Sequence, residues 1–222
     1  MRRPRAIGSL FDDPPALAPS VEPLAEGAVL LRGFALDVAP ALLAAVAEVA
    51  AAAPFRHMIT PGGHRMSVAM TNCGSFGWVS DARGYRYDPR DPQTEAPWPP
   101  LPVAFLDLAA RAAGAAGYAP FENDVCLVNR YEPGSRLTLH QDRDERNLRA
   151  PIVSVSLGLP ATFLFGGLER SMRPRRFPVF HGDVAVWGGP SRMAFHGIAP
   201  LKDGEHPATG RCRINLTFRR AR

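Results

Sequence analysis

From residue 124 to the C-terminus the chain is divided into short apolar stretches: "DVCLVNRYEPGSRLTLHQD", "PIVSVSLGLPATFLFGG", "RRFPVFHGDVAVWGG", "SRMAFHGIAP" and "RCRINLTFRR". Each is rich in β-branched or aromatic residues and is closed by Pro, Gly or Asp, the texture of short strands joined by turns. A series of this kind buries its apolar faces by closing into a sandwich or barrel. The reading is therefore an antiparallel β core over about 120–222. Two earlier stretches differ. "PALLAAVAEVAAAAP", residues 40–54, predicts an alanine-rich helix stopped by proline, and "PLPVAFLDLAARAAGAAG", residues 100–117, a second helix ending near Gly114 and Gly117. Between them "RMSVAMTNCG" leads to "GWVSDARGYRYDP", residues 77–89, whose Gly84 and flanking aromatics predict a hairpin. Residues 1–26, with "PPALAPSVEP", have little periodicity and read as an arm. The expected organisation is a flexible arm over 1–20 and one domain over 21–222.

Composition narrows the classes. With 222 residues and 46% hydrophobic content the chain can bury a core of its own. It contains no run of about 18 apolar residues, and "MRRPRAIGSLFDDPP" is not followed by an apolar segment of the secretory kind. Cys73, Cys126 and Cys212 lie far apart without a CxxC pair, which suits a reducing compartment and argues against a disulfide framework. A cytoplasmic protein without a membrane partner is expected. The net charge of +5, carried mostly by arginine, fits a polyanionic partner such as nucleic acid.

The chemistry concentrates in "RLTLHQDRDERN", residues 136–147. Residues i and i+2 of a strand point to one side, so His140 and Asp142 can offer imidazole and carboxylate to one point. His196, in "AFHGIAP", supplies a third ligand of suitable type. Two histidines and one carboxylate on one face of an octahedral ion leave open positions, as in non-haem Fe(II) oxygenases. A zinc hydrolase uses similar ligands, and two polar residues on a surface loop are the plainer alternative. In "RCRINLTFRR", Arg213, Asn215, Thr217 and Arg219 alternate with Ile214, Leu216 and Phe218. That polar face suits either water or a dicarboxylate, because a guanidinium fork matches a carboxylate with two parallel hydrogen bonds. Asn129 and Tyr131 in "LVNRYEPG" share a strand face and can add an amide and a phenol to the same ligand.

Taken together, "HQD" at 140–142, His196, "NRY" at 129–131 and "RINLTFR" at 213–219 resemble the AlkB family of Fe(II)- and 2-oxoglutarate-dependent dioxygenases. "TPGGHRMSVAMTNCGSFGW", "DPQTEAPWP", "RAPIVSVSLGLPATFLFGG", "GDVAVWGG" and "FHGI" extend the resemblance to bacterial DNA-repair members over most of residues 22–220. The resemblance implies a double-stranded β-helix, a jelly-roll relative, in which the helix and hairpin of about 40–90 form a nucleotide-recognition lid. It implies that His140, Asp142 and His196 hold iron. It implies that Arg219, aided by Tyr131, takes the distal carboxylate of 2-oxoglutarate, with Arg213 and Asn129 near the chelating carboxylate and Asn215 near the cosubstrate. The implied reaction consumes O₂ and 2-oxoglutarate, oxidises an N-methyl group on a nucleobase, and releases succinate, CO₂ and formaldehyde.

A base methylated at adenine N1 or cytosine N3 is cationic and cannot pair, so it leaves the stack cheaply. Its pocket calls for a flat π surface and a carboxylate. Trp78 offers the first, and His140 the opposite face. Asp144 offers the second, as an acceptor for the exocyclic amine. Arg136, Arg143 and Arg170 are expected to meet phosphates, with Tyr85 and Thr60 adding hydrogen bonds to the strand. Met66 and Met70 are candidates to line the pocket or fill the core. His64 departs from the family pattern, which has tyrosine there. The expected partner is alkylated single- or double-stranded DNA, with RNA as a second candidate, bound by a monomer. Two other readings keep the triad: an Fe(II)/2-oxoglutarate hydroxylase of a metabolite or protein side chain, which needs no Trp78 or Asp144, and a metal-binding jelly roll without turnover.

Overall fold

The computed structural model describes residues 20–222. The greater part of the arm expected over 1–20 lies outside them. Fourteen strands run in chain order as β1 Ser20–Ala25, β2 Ala28–Arg32, β3 Arg56–Ile59, β4 Arg65–Gly74, β5 Gly77–Asp81, β6 Gly84–Asp88, β7 Val125–Tyr131, β8 Leu137–His140, β9 Ile152–Gly158, β10 Ala161–Phe165, β11 Arg175–Val179, β12 Val184–Trp187, β13 His196–Ile198 and β14 Arg213–Arg219. The helices are α1 Ala39–Ala52 and α2 Val103–Ala115. Each is shorter than the sequence suggested, and prolines set the end of α1 and the start of α2. Ala53 precedes Pro54 and is extended (φ −133°, ψ 92°), because the proline ring excludes the α region from its predecessor. Pro102 (φ −59°, ψ 144°) is extended ahead of α2.

An eight-stranded sheet in the order β1-β2-β12-β9-β14-β7-β4-β3 faces a four-stranded sheet in the order β11-β10-β13-β8. This is the expected jelly roll, but the bounds of about 120–222 expected for its core need correction, because β1, β2, β3 and β4 supply half of the larger sheet by pairing onto β12 and β7. The larger sheet is covered on both sides. Ile214, Leu216 and Phe218 pack with Leu42, Val46, Phe105 and Leu108 under the helices. On the other side Leu127, Tyr131, Phe163, Phe165 and Trp187 meet between the sheets. All seven residues of β14 are buried, so the polar alternation of Arg213, Asn215, Thr217 and Arg219 faces the interior and not water.

The arm reading needs correction over residues 20–26. Ser20–Ala25 is an edge strand paired antiparallel with β2, and Arg32 pairs with Glu22 across the ladder. Its side chains are mostly exposed, Leu24 excepted, so little of its sequence records the pairing. Pro23 is tolerated because the outer edge needs no donor.

β5 and β6 form the expected hairpin, with Gly84 at φ +109°. Trp78 and Tyr87 are register partners, as are Ser80 and Tyr85, so the four share one face. At the other end of the site β13 meets β8 with His196 opposite His140 and an irregularity before Ile198. Gly197 occupies it. A Cβ there would stand 2.5 Å from the Leu137 carbonyl oxygen, which is backbone and cannot turn aside. We expect Gly197→Ala to separate these strands, costing about 1–3 kcal/mol by overpacking and weakening metal binding. Urea midpoints and a Co(II) titration check both effects.

Candidate active site

His140 is the last residue of β8 and His196 the first of β13, and their rings lie 4.3 Å apart between centroids. Asp142 stands beyond the end of β8, so it reaches the site from a loop rather than by strand alternation. Its Oδ1 is 3.8 Å from His140 Nε2 and its Oδ2 is 3.7 Å from His196 Nε2. Their candidate ligand atoms fall within 4.8 Å of one another, the only such cluster among the described residues. Each ring is oriented from behind: His140 Nδ1 lies 2.9 Å from the Thr138 carbonyl and His196 Nδ1 3.0 Å from that of Ala194. Such bonds put the proton on Nδ1 and leave the Nε2 lone pair for a metal. Burial and the neighbouring His140 hold the His196 imidazole down to about 3, against the pull of Asp142. Burial raises the Asp142 carboxyl, but Arg219 and the two histidines outweigh it and hold it well below the usual range. The triad therefore holds a neutral His196 imidazole and an ionised Asp142 carboxylate beside His140.

Every site residue expected from the sequence lines one cavity of about 990 Å³ containing the triad. The two arginines of β14 do different things in it. Arg219 places its fork on Asp142, Nε on Oδ2 at 3.0 Å and Nη2 on Oδ1 at 2.9 Å. Arg213 donates Nη2 to Ser156 Oγ at 2.9 Å, and its guanidinium lies 4.9 Å from the Tyr131 ring centroid. Its Nε and Nη1 are buried with no hydrogen-bond partner. No described carboxylate pairs with it, and burial lowers its pKa from the ordinary value. The fork expected to take a cosubstrate carboxylate lies on Asp142, while that of Arg213 keeps two nitrogens without a partner. Asn215 is likewise spent within the protein. Its Nδ2 donates to Ser154 Oγ and the Val155 carbonyl, and its Oδ1 accepts from Asn129 and Thr217.

A buried guanidinium without an anion is costly. Arg213 therefore fits an anionic ligand reaching past the triad, and the His₂-carboxylate set fits a divalent metal with open positions. The residues present suit both Fe(II) and 2-oxoglutarate.

On the outer side Trp78 Nε1 donates to Asp144 Oδ2 at 2.9 Å, and Tyr85 stacks on Trp78 at 5.6 Å with 13° between planes. Met70 is buried core as well as cavity wall, and Met66 packs beside it half-buried. Thr60 Oγ1 accepts the His64 N–H at 3.1 Å and closes the "TPGG" turn. Arg136 and Arg143 are exposed at the rim, and Arg170 lies 5.9 Å from the Phe195 ring. Sequence reasoning missed the apolar wall behind His196, where Trp187 lies 4.8 Å and Phe163 6.3 Å from its ring. A tryptophan closing the strand "VAVW" was the available signal.

Fold and site together define a non-haem iron oxygenase on a jelly roll. A family model described as the 2OG-Fe(II) oxygenase superfamily matches residues 27–219. The chain is 60% identical over 203 residues to the alpha-ketoglutarate-dependent dioxygenase AlkB of Escherichia coli (strain K12), covering 91% of this chain and 94% of that one. It is 32% identical over 131 residues to the nucleic acid dioxygenase ALKBH1 of Mus musculus, covering 58% of this chain and 33% of that one. The solved structure of OsALKBH1 superposes with a TM-score of 0.81 at 29% identity, over 90% of this chain and all of the other. The chain belongs to the AlkB family of Fe(II)- and 2-oxoglutarate-dependent dioxygenases. It is an enzyme that uses Fe(II), 2-oxoglutarate and O₂.

Proposed function

We propose that this enzyme oxidatively demethylates N-alkylated nucleobases of the 1-methyladenine and 3-methylcytosine type in DNA, with RNA as a second substrate, as a direct-reversal repair activity. The observation that carries the reading is the Trp78–Asp144 pair, an indole face and a carboxylate joined by a hydrogen bond inside the cavity that holds the triad. A cationic methylated base gains about 0.5–2 kcal/mol on such a face. Asp144 has a second oxygen for the exocyclic amine. Arg136, Arg143 and Arg170 on the rim suit phosphates, with Thr60 and Tyr85 beside them, and this gives binding that weakens with salt. The relatives named for nucleic-acid oxidation support the same class of substrate.

When bound, Fe(II) with 2-oxoglutarate supplies the oxidation of an N-methyl C–H bond by O₂, with succinate and CO₂ as co-products; the hydroxymethyl base then loses formaldehyde. His140, Asp142 and His196 hold the metal. Arg213, with Tyr131 beside it, takes the distal carboxylate of 2-oxoglutarate through its two partnerless nitrogens. Arg219 keeps Asp142 ionised and oriented, and Asn129 lines the metal-side end of that ligand. Residues 21–222 act as one domain, and the protein works as a monomer in the cytoplasm, which sedimentation and cell fractionation test.

Formaldehyde release from 1-methyladenine and 3-methylcytosine oligonucleotides at fixed salt tests the reading. A carboxylate hydrogen bond to a polarised amine contributes about 1.5–3 kcal/mol, so Asp144→Ala should lower kcat/KM by roughly ten- to hundredfold. Trp78→Ala should act in the same direction through lost stacking, about 1–3 kcal/mol per base. Repair unchanged in both variants defeats the pocket. Succinate formation by the parent that never depends on a methylated oligonucleotide points instead to a metabolite or protein hydroxylase.

A further inference from the structure

The hairpin that carries Trp78 and Tyr85 is joined to the metal ligand's loop by a second contact, buried and outside the cavity. Trp78 and Tyr87 are cross-strand partners on one face, and they reach two consecutive acids. Trp78 holds Asp144, while the Tyr87 hydroxyl donates to Glu145 Oε1 at 2.6 Å. Glu145 is only 6% exposed and does not line the cavity, so neither iron nor substrate explains it.

Two guanidinium groups complete its surroundings. Arg192 Nη2 donates to Glu145 Oε2 at 3.1 Å, and Arg219 Nε lies 3.5 Å from Oε1. Both lead back to Asp142. Arg219 is the fork on its carboxylate, and Arg192 Nη1 donates to its backbone carbonyl at 2.7 Å. Arg192 also donates Nε to the Ala150 carbonyl at 2.9 Å, and it precedes His196 by four residues. Burial holds the Tyr87 phenol well above its ordinary pKa, so it remains a donor.

The geometry limits how these parts move. A guanidinium is planar, and Arg219 meets both Asp142 oxygens only while its Nε edge keeps its angle. Glu145 sits against that edge. A displacement of Glu145 therefore turns the fork, and the fork turns the carboxylate that faces the metal. Tyr87 is the hairpin residue whose side chain bonds Glu145.

We propose that Tyr87 is a positioning residue that couples the base-recognition hairpin to the iron ligand Asp142, through Glu145 and Arg219. The coupling takes its meaning from the nucleobase reading above, but the chain of contacts can be tested without nucleic acid. Coupling of this kind is reciprocal: a base seated on the hairpin alters the metal site, and the filled metal site alters the hairpin.

Co(II) is the probe, because its visible bands report ligand geometry. The variant Tyr87→Phe removes one oxygen atom. The control Ser80→Ala removes a different tether of the same hairpin, the Ser80 hydroxyl bond to the Ile59 carbonyl at 2.7 Å. Without nucleic acid, Tyr87→Phe should weaken Co(II) binding about three- to tenfold, less than the tenfold to hundredfold seen for partners that touch a ligand directly. Its bands should move, and Ser80→Ala should match the parent. Glu145→Gln keeps the shape, should move the bands in the same direction, and serves if Tyr87→Phe does not fold. Parent-like affinity and bands in Tyr87→Phe overturn the proposal, as does an equal effect from Ser80→Ala. In the second arm a saturating methylated oligonucleotide should shift the parent's bands and leave those of Tyr87→Phe nearly still. An equal shift in both overturns the coupling. An oligonucleotide that fails to bind the parent overturns the nucleobase reading instead, and the first arm alone then decides the role of Tyr87.

Discussion

Asp142→Ala eliminates oxidation, including decarboxylation of 2-oxoglutarate in the absence of nucleic acid, and it also destabilises the protein. Asp142 has two duties. It is the anionic member of the triad, and removing it leaves at most two imidazole ligands for the metal. It is also the partner of Arg219, which is 5% exposed. Breaking a buried pair from one side costs about 3–5 kcal/mol. Glu145, 3.5 Å from Arg219 Nε, remains to face the stranded cation, so the lower end of that range is expected. Asp142→Asn separates the duties. Its one amide oxygen still accepts from Arg219, but Nδ2 faces the second guanidinium N–H that Asp142 accepted, so only part of the stability returns, while the missing charge keeps metal affinity low. Fe(II) titration and urea unfolding of both variants measure the two effects independently. Stoichiometric iron binding with full turnover in Asp142→Ala would remove Asp142 from the site.

The triad was legible because its chemistry is written in residue types that have few other reasons to recur on short strands. What brings the three ligands together was not legible. The spacing of His140 and Asp142 suggested one strand face, but β8 ends at His140, and Asp142 is set by Arg219 and Arg192 from two other segments. The same limit applies to β14. Alternation of Arg, Asn, Thr and Arg with Ile, Leu and Phe describes a strand with one wet face as well as it describes one buried between two layers. Only the smaller sheet opposite decides, and that contact is remote in sequence. Glu145 illustrates the point further. In "DRDER" it looks like one more solvated acid; its burial depends on Tyr87, Arg192 and Arg219, each from a different part of the chain. β1 was hidden for the opposite reason, since an exposed edge strand places almost no demand on its side chains.

Arg213 and Arg219 show where motif order alone stops, and they set the second large effect. Both are arginines on the same face of the same strand, and a pattern treats them alike. Their partners do not. Arg219 is occupied by Asp142, whereas Arg213 keeps Nε and Nη1 free of partners while 2% exposed. A cation held in that state gains most from an incoming carboxylate, because the desolvation is already in place and the fork is already oriented. Arg213→Lys keeps a charge but loses the planar fork and its bond to Ser156. Charge-assisted hydrogen bonds contribute about 1.5–3 kcal/mol each, so the 2-oxoglutarate requirement should rise by roughly ten- to hundredfold. Iron binding should persist, because no Arg213 bond touches the triad. Arg219→Lys should show the reverse pattern, with weakened metal binding as the primary defect and a smaller change in 2-oxoglutarate dependence at saturating Fe(II). Titrating 2-oxoglutarate against succinate release at several fixed Fe(II) concentrations resolves the two variants. If Arg213→Lys titrates like the parent while Arg219→Lys needs far more 2-oxoglutarate at saturating iron, the distal carboxylate belongs to Arg219 and its assignment to Arg213 is wrong.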